Sequence, residues 1–495
     1  MKKKFVAIVL LIFCFVTVLG GCSKSVLDSA SENLSEYSMN LFYNEAEHTV
    51  SGSVELKFVN NFSQPITDMV FCLWANGFSE GAKYGPISLA NTAKTYPNGV
   101  SYGGITVSEV KVDGSEVLST VGGQDKTALT ITLPRTIYVE EKAKVTMNFI
   151  STLPNANHRF GYGDSTVNIT GFFPVLAVLT SDGWANNPYS PNGDPFFTDC
   201  ANYKVQISYP KTYTIASTGV QNDTTESEDI KKTIITAKVV RDFAMILSKD
   251  FQVIEKEQNG TMVKYYYIQD TDPNASLETG ALSIKTYENL FGDYPYDTLS
   301  VVECNFVHGG MEFPNLVMIS NTLSSREEIN EVIAHEIAHQ WWYGMVGSNA
   351  FEHGWLDEGL TEFSTAMFFE KNPSYGLSKA EMITNANKSY TLFVDVYSEV
   401  FGKVDTSMDH SLNDFKTEPE YVYTAYVKSL LMYDNLYELM GEKKFLKAVQ
   451  NLLSLYRFQN IEPAHLIATF QKVNKTDLES FFSAWIDGKI EVVGQ

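Results

Sequence analysis

The stretch "VIAHEIAHQWWYG", Val332 to Gly344, holds two histidines four residues apart with a glutamate directly after the first. On a helix, residues i and i+4 share a face, so His335 and His339 present together. Glu336 lies about 100° round from His335 and flanks whatever the histidines hold. Two imidazoles in this pattern suit Zn²⁺, and the adjacent carboxylate suits a general base acting on water that the metal activates. The alternative is a helix that carries two histidines by chance. Val332, Ile333, Ala334, Ile337, Ala338, Trp341 and Trp342 predict a buried helix, and buried ionisable groups need a partner or a metal. Ser325 followed three residues later by Glu328 is a capping box that starts it. Downstream, "WLDEGLTEF" (Trp355 to Phe363) predicts a second helix and places Glu358 nineteen residues after His339. Two histidines and one carboxylate leave a fourth position open, as a catalytic zinc site requires.

These motifs, in this order and spacing, resemble the M1 family of zinc aminopeptidases, the gluzincins that include aminopeptidase N and leukotriene A4 hydrolase. "GGMEF", Gly309 to Phe313, resembles that family's G-x-M-E-N exopeptidase motif. The resemblance implies one Zn²⁺ per chain, held by His335, His339 and Glu358, with Glu336 as general base. It implies that Glu312 binds the free α-amine of a peptide, with Gly309, Gly310 and Met311 forming the rest of the substrate strand. An oxyanion-stabilising tyrosine is implied as well. "YVKSLL" offers Tyr426 in the matching context, with Tyr421 and Tyr423 competing close by. Two positions depart from the family pattern: Phe313 stands where it has Asn, and Asp357 precedes the ligand glutamate. The resemblance also implies a form lacking the long C-terminal helical domain, hence a more open cleft.

The remaining sequence bounds the setting. With 59 Asp and Glu against 37 Lys and Arg, the formal charge is −22, which excludes nucleic acid as an expected partner. "MKKK" followed by "FVAIVLLIFCFVTVL" is a signal-peptide pattern over residues 1–21. "LGGC" at its end resembles the bacterial lipobox, which implies lipid on Cys22 and a membrane-tethered protein outside the cytoplasm; an uncleaved anchor is the alternative. Cys72, Cys200 and Cys304 fit no disulfide framework.

Residues 22–39 are Ser-rich and read as a flexible tether. From residue 40 to 255, period-two runs such as "VSGSVELKF" and "NYKVQISYP" predict an antiparallel β-sandwich or saddle. From 256 to 495 the helical period takes over, with one strand, "LSVVECNF", ahead of GGMEF. The expected architecture is therefore multi-domain, β then α+β, ending in a thermolysin-like, mostly helical zinc metalloprotease domain. The expected activity is removal of N-terminal residues from peptides with a free amine. The rivals are a zinc endopeptidase, which would not need Glu312, and an inactive peptide-binding surface lipoprotein. Nothing in the sequence asks for an epoxide hydrolase side activity.

Overall fold

The structure, a computed structural model, describes residues 25–490. The signal-peptide pattern and Cys22 lie outside the described residues. The serine-rich stretch expected to be a flexible tether is ordered from Ser25. Ser25 Oγ accepts from Asp28 N and caps a short helix, Val26–Ser31, which Asn202 holds by donating to Ser31 O. Strand pairing starts soon after, at Glu36.

The N-terminal region is built of antiparallel strands with one parallel pair. β1 (Glu36–Asn44) lies between β2 (Thr49–Val59), antiparallel, and β4 (Ala201–Pro210), parallel. β3 (Lys142–Thr152) pairs with β2, and the whole forms an eight-stranded sheet. Its alternation is what buries one face: Tyr37, Met39, Leu41 and Tyr43 of β1 are inside while their neighbours face out. Two four-stranded sheets pack with it. Cys72, Cys200 and Cys304 are buried free thiols.

A further sheet carries the chemistry-bearing half. β5 (Gln252–Gln258) and β6 (Thr261–Tyr267) lead into a five-stranded sheet with β7 (Thr298–Cys304), β8 (Gly310–Met311) and β9 (Leu316–Ser320), in the order β5-β6-β7-β9-β8. The boundary expected near residue 255 falls inside β5, and four strands accompany the one expected there. β7 and β9 are buried throughout, so they read as apolar runs without alternation. β5 and β8 are the edge strands, each paired antiparallel with its neighbour. On this sheet pack α1 (Pro273–Phe291) and α2 (Arg326–Ala338); α3 (Gly354–Lys371) packs against both, and α4 (Lys379–Phe401) against α3. The Ser325–Glu328 capping box is formed reciprocally, at 3.1 and 3.2 Å.

One buried guanidinium joins the two halves. Arg241 Nε donates to Tyr343 O (2.6 Å), Nη1 to Thr198 O (2.8 Å) and Asn460 Oδ1 (2.5 Å), and Nη2 to Gln459 O (2.7 Å). Its neighbour Asp242 is fully buried; Oδ1 accepts from Phe243 N, and Oδ2 has no hydrogen-bond partner. Burial pushes its carboxyl up from 3.8 to about 7. A carboxyl whose folded pKa is raised binds more protons folded than unfolded, so stability falls as pH rises from about 4 towards 7. Asp242→Asn should therefore be more stable than wild type at pH 8 and lose that advantage below pH ~4. Thermal melts of both proteins across this range check it; parallel pH profiles would rule it out.

Candidate active site

α2 and α3 cross so that His335, His339 and Glu358 converge. His335 Nε2, His339 Nε2 and Glu358 Oε2 form a near-equilateral triangle with sides of 3.2, 3.3 and 3.4 Å. A point equidistant from the three lies about 1.9 Å from each, close to the roughly 2.0–2.2 Å at which Zn²⁺ binds imidazole nitrogen and carboxylate oxygen. The donor set thus fits zinc without rearrangement. A second group, Glu312, Glu336 and His339, also converges, but it shares His339 and would spend the carboxylate needed as a base.

The outer contacts orient both rings. His339 Nδ1 donates to Asp357 Oδ1 at 2.8 Å, which leaves Nε2 free to ligate. The departure at position 357 is therefore a working contact. His335 Nδ1 lies 3.2 Å from Glu362 Oε1. Burial alone would raise the Glu358 carboxyl, but His339 and His335 pull it well below the usual carboxylate range.

Glu336 is buried in the cleft, and its Oε2 has no hydrogen-bond partner. Burial pushes its carboxyl up to about 8, while the imidazole of His335 pulls the other way. Gly310 backs directly onto this carboxylate: a Cβ there would collide with it. Gly310→Ala should displace Glu336 and lower kcat at least tenfold, whereas Gly309→Ala, whose Cβ would meet only Val332 at 3.5 Å, should be mild. Steady-state kinetics of the pair check this, and equal effects would contradict it.

Glu312 lines the same cleft and is nearly buried. Gln340, just past α2, fixes the segment that carries it. Its Nε2 donates to Phe313 O (3.2 Å) and its Oε1 accepts from Asn315 N (2.8 Å). Phe313 makes no use of the polar role Asn would have; it packs at 5.8 Å from Phe196 in the core.

Of the three tyrosines, Tyr426 donates to Glu358 Oε1 at 2.7 Å. Tyr421 also lines the cleft, with its ring 5.5 Å from that of Tyr426. Tyr423 points elsewhere and stacks on Phe393 at 4.6 Å. Tyr426 sits on a π-helical turn, Val422–Lys428. The wider turn shifts side chains relative to an α-helix, and such turns recur at functional sites. Burial, then Glu358, raises its hydroxyl well above the usual tyrosine range, so it stays a donor.

The cleft measures about 300 Å³. Ser190 to Asp194 form part of its wall, as does His308. The sequence reading passed over Arg159, Asp194, Glu331 and Glu362, which also line it. Arg159 and Asp194 form an ion pair and come from the β half. Glu362 was detectable: it falls four residues after Glu358, on the same helical face.

Residues 275–485 match the Peptidase family M1 domain. Leucine aminopeptidase 2-1 of Meyerozyma guilliermondii is 26% identical over 183 residues, which is 35% of this chain and 28% of that protein. Aminopeptidase 2 of Candida albicans is 21% identical over 428 residues, 79% of this chain and 44% of that protein. The chain thus spans less than half the length of these curated relatives. A crystal structure of an M1 zinc metallopeptidase from Deinococcus radiodurans superposes with a TM-score of 0.66 at 15% identity, covering 93% of this chain and 95% of that one. The two-domain fold, a β-rich region followed by a helical one, is the same.

Proposed function

We propose that this chain, whose residues 275–485 match the peptidase family M1 domain, is a zinc aminopeptidase that releases N-terminal residues from peptides. The observation that carries the reading is the convergence, in one cleft, of the His335–His339–Glu358 triangle, an unligated buried Glu336 and a nearly buried Glu312. The zinc, when bound, supplies a Lewis acid that polarises the scissile carbonyl and lowers the pKa of water. Everything else falls to the chain. Glu312 pairs with the substrate ammonium and sets the register of the first peptide bond. Glu336 takes a proton from the attacking water and returns it to the leaving amine. Tyr426, turning from Glu358, donates to the developing oxyanion. Asp357 and Glu362 keep both imidazoles in the ligating tautomer.

An ammonium–carboxylate hydrogen bond is worth roughly 1.5–3 kcal/mol. Acetylating the amine removes it and leaves Glu312 charged and unpaired, so the loss should exceed the bond alone. Free-amine peptides should be cut after their first residue and acetylated ones hardly at all. Glu312→Ala should raise KM and lower kcat together. Efficient internal cleavage of acetylated peptides would favour the endopeptidase reading instead.

The lipobox-like LGGC supports a position outside the cytoplasm, with the protein tethered to a bacterial membrane through lipid on Cys22. Fractionation of Cys22→Ser against wild type tests the tether: the variant should leave the membrane fraction, and retention there would count against lipidation.

A further inference from the structure

We infer that Glu331 gives the cleft a preference for a basic side chain on the residue that follows the cleaved bond. This rests on the aminopeptidase reading and assigns a substrate class to it. The cleft has a direction. A Cβ on Gly309 would face Val332, one on Gly310 would meet Glu336, and Gln340 contacts the carbonyls of Glu312 and Phe313. Segment 309–313 and α2 therefore run side by side in the same sense. Glu312 is level with the C-terminal end of α2, and Gly309 with the turn before His335. A peptide held by its ammonium at Glu312, with its first bond at the histidines, must continue towards the N-terminal turn of α2.

Glu331 stands there. It is four residues before His335 on the same face, about 6 Å along the axis. An extended peptide advances about 3.3 Å per residue, so the side chain after the cleaved bond reaches this turn. Glu331 lines the cleft together with Val332, Glu362 and Thr365. Its electrostatic neighbours are Glu362, Glu327 and Glu328, all of like charge, and the imidazole of His335. Arg159, a cation that lines the same cleft, is paired with Asp194. Val332 offers an apolar surface for a lysine or arginine stem, and Glu331 a partner for its head.

The test measures alanine release by the full-length protein from the amidated tripeptides Ala-Arg-Gly, Ala-Leu-Gly and Ala-Glu-Gly. Wild type should show a kcat/KM for Ala-Arg-Gly at least tenfold above that for Ala-Glu-Gly. Glu331→Gln should shrink that ratio severalfold, and Glu331→Lys should invert it. A ratio taken within one variant is unaffected by a reduced active fraction, so a folding defect cannot imitate the inversion. Equal wild-type rates on all three peptides, or an unchanged ratio in both variants, would overturn the inference while leaving the aminopeptidase reading in place. No alanine from any peptide would overturn both.

Discussion

Glu336→Gln is expected to keep its zinc and lose turnover by on the order of 10²–10⁴-fold, the usual worth of a positioned general base. The substitution preserves shape at a buried site that Gly310 closes from behind. It removes neither an atom of the ligand triangle nor a hydrogen bond to Oε2, which has none. What it removes is the capacity to accept a proton. Peptide affinity should therefore change little while kcat collapses. A variant with near-wild-type kcat would strip Glu336 of its role, whatever happened to the metal.

Glu358→Ala should act one step earlier. Its Oε2 faces both histidines, at 3.3 and 3.4 Å, and its Oε1 holds Tyr426 at 2.7 Å. Without it two imidazoles remain, too few for a catalytic zinc site. Metal analysis of purified protein should fall from near one zinc per chain to a small fraction, and activity should fall to background. His335→Ala should do the same. Asp357→Asn should be graded: the ligands stay, the His339 Nδ1 contact weakens, and zinc affinity drops by roughly 10–100-fold. Full occupancy in both ligand variants would refute the ligand assignment.

Much of this was legible in the sequence because helical spacing converts directly into geometry. His335, Glu336, His339 and the Ser325 cap needed only the helical period. The third corner, Glu358, needed a second helix to meet the first, which spacing suggests and packing alone decides. Strand β9 was missed because buried parallel strands do not alternate, and "LVMIS" carries no period to detect. The helix Lys379–Phe401 was passed over: its Asn, Thr, Ser and Val content is poor for helix, although Ser378 and Glu381 spell a capping box that the structure forms. Arg159 was invisible, since it reaches the cleft from the β half across a long stretch of sequence. The Ser-rich start misled because Ser25, Asp28 and Asn202 tie it down through contacts that composition does not report.

Exopeptidase action is tested most directly by the order in which products appear. Purified protein is mixed with a ten-residue peptide of mixed sequence, and the products are followed by mass spectrometry over time, alongside the same peptide acetylated at its amine. A ladder that shortens one residue at a time from the N-terminus is expected, with the acetylated peptide left intact and all turnover abolished by Glu336→Gln. Internal fragments appearing first, or equal consumption of the acetylated peptide, would contradict it.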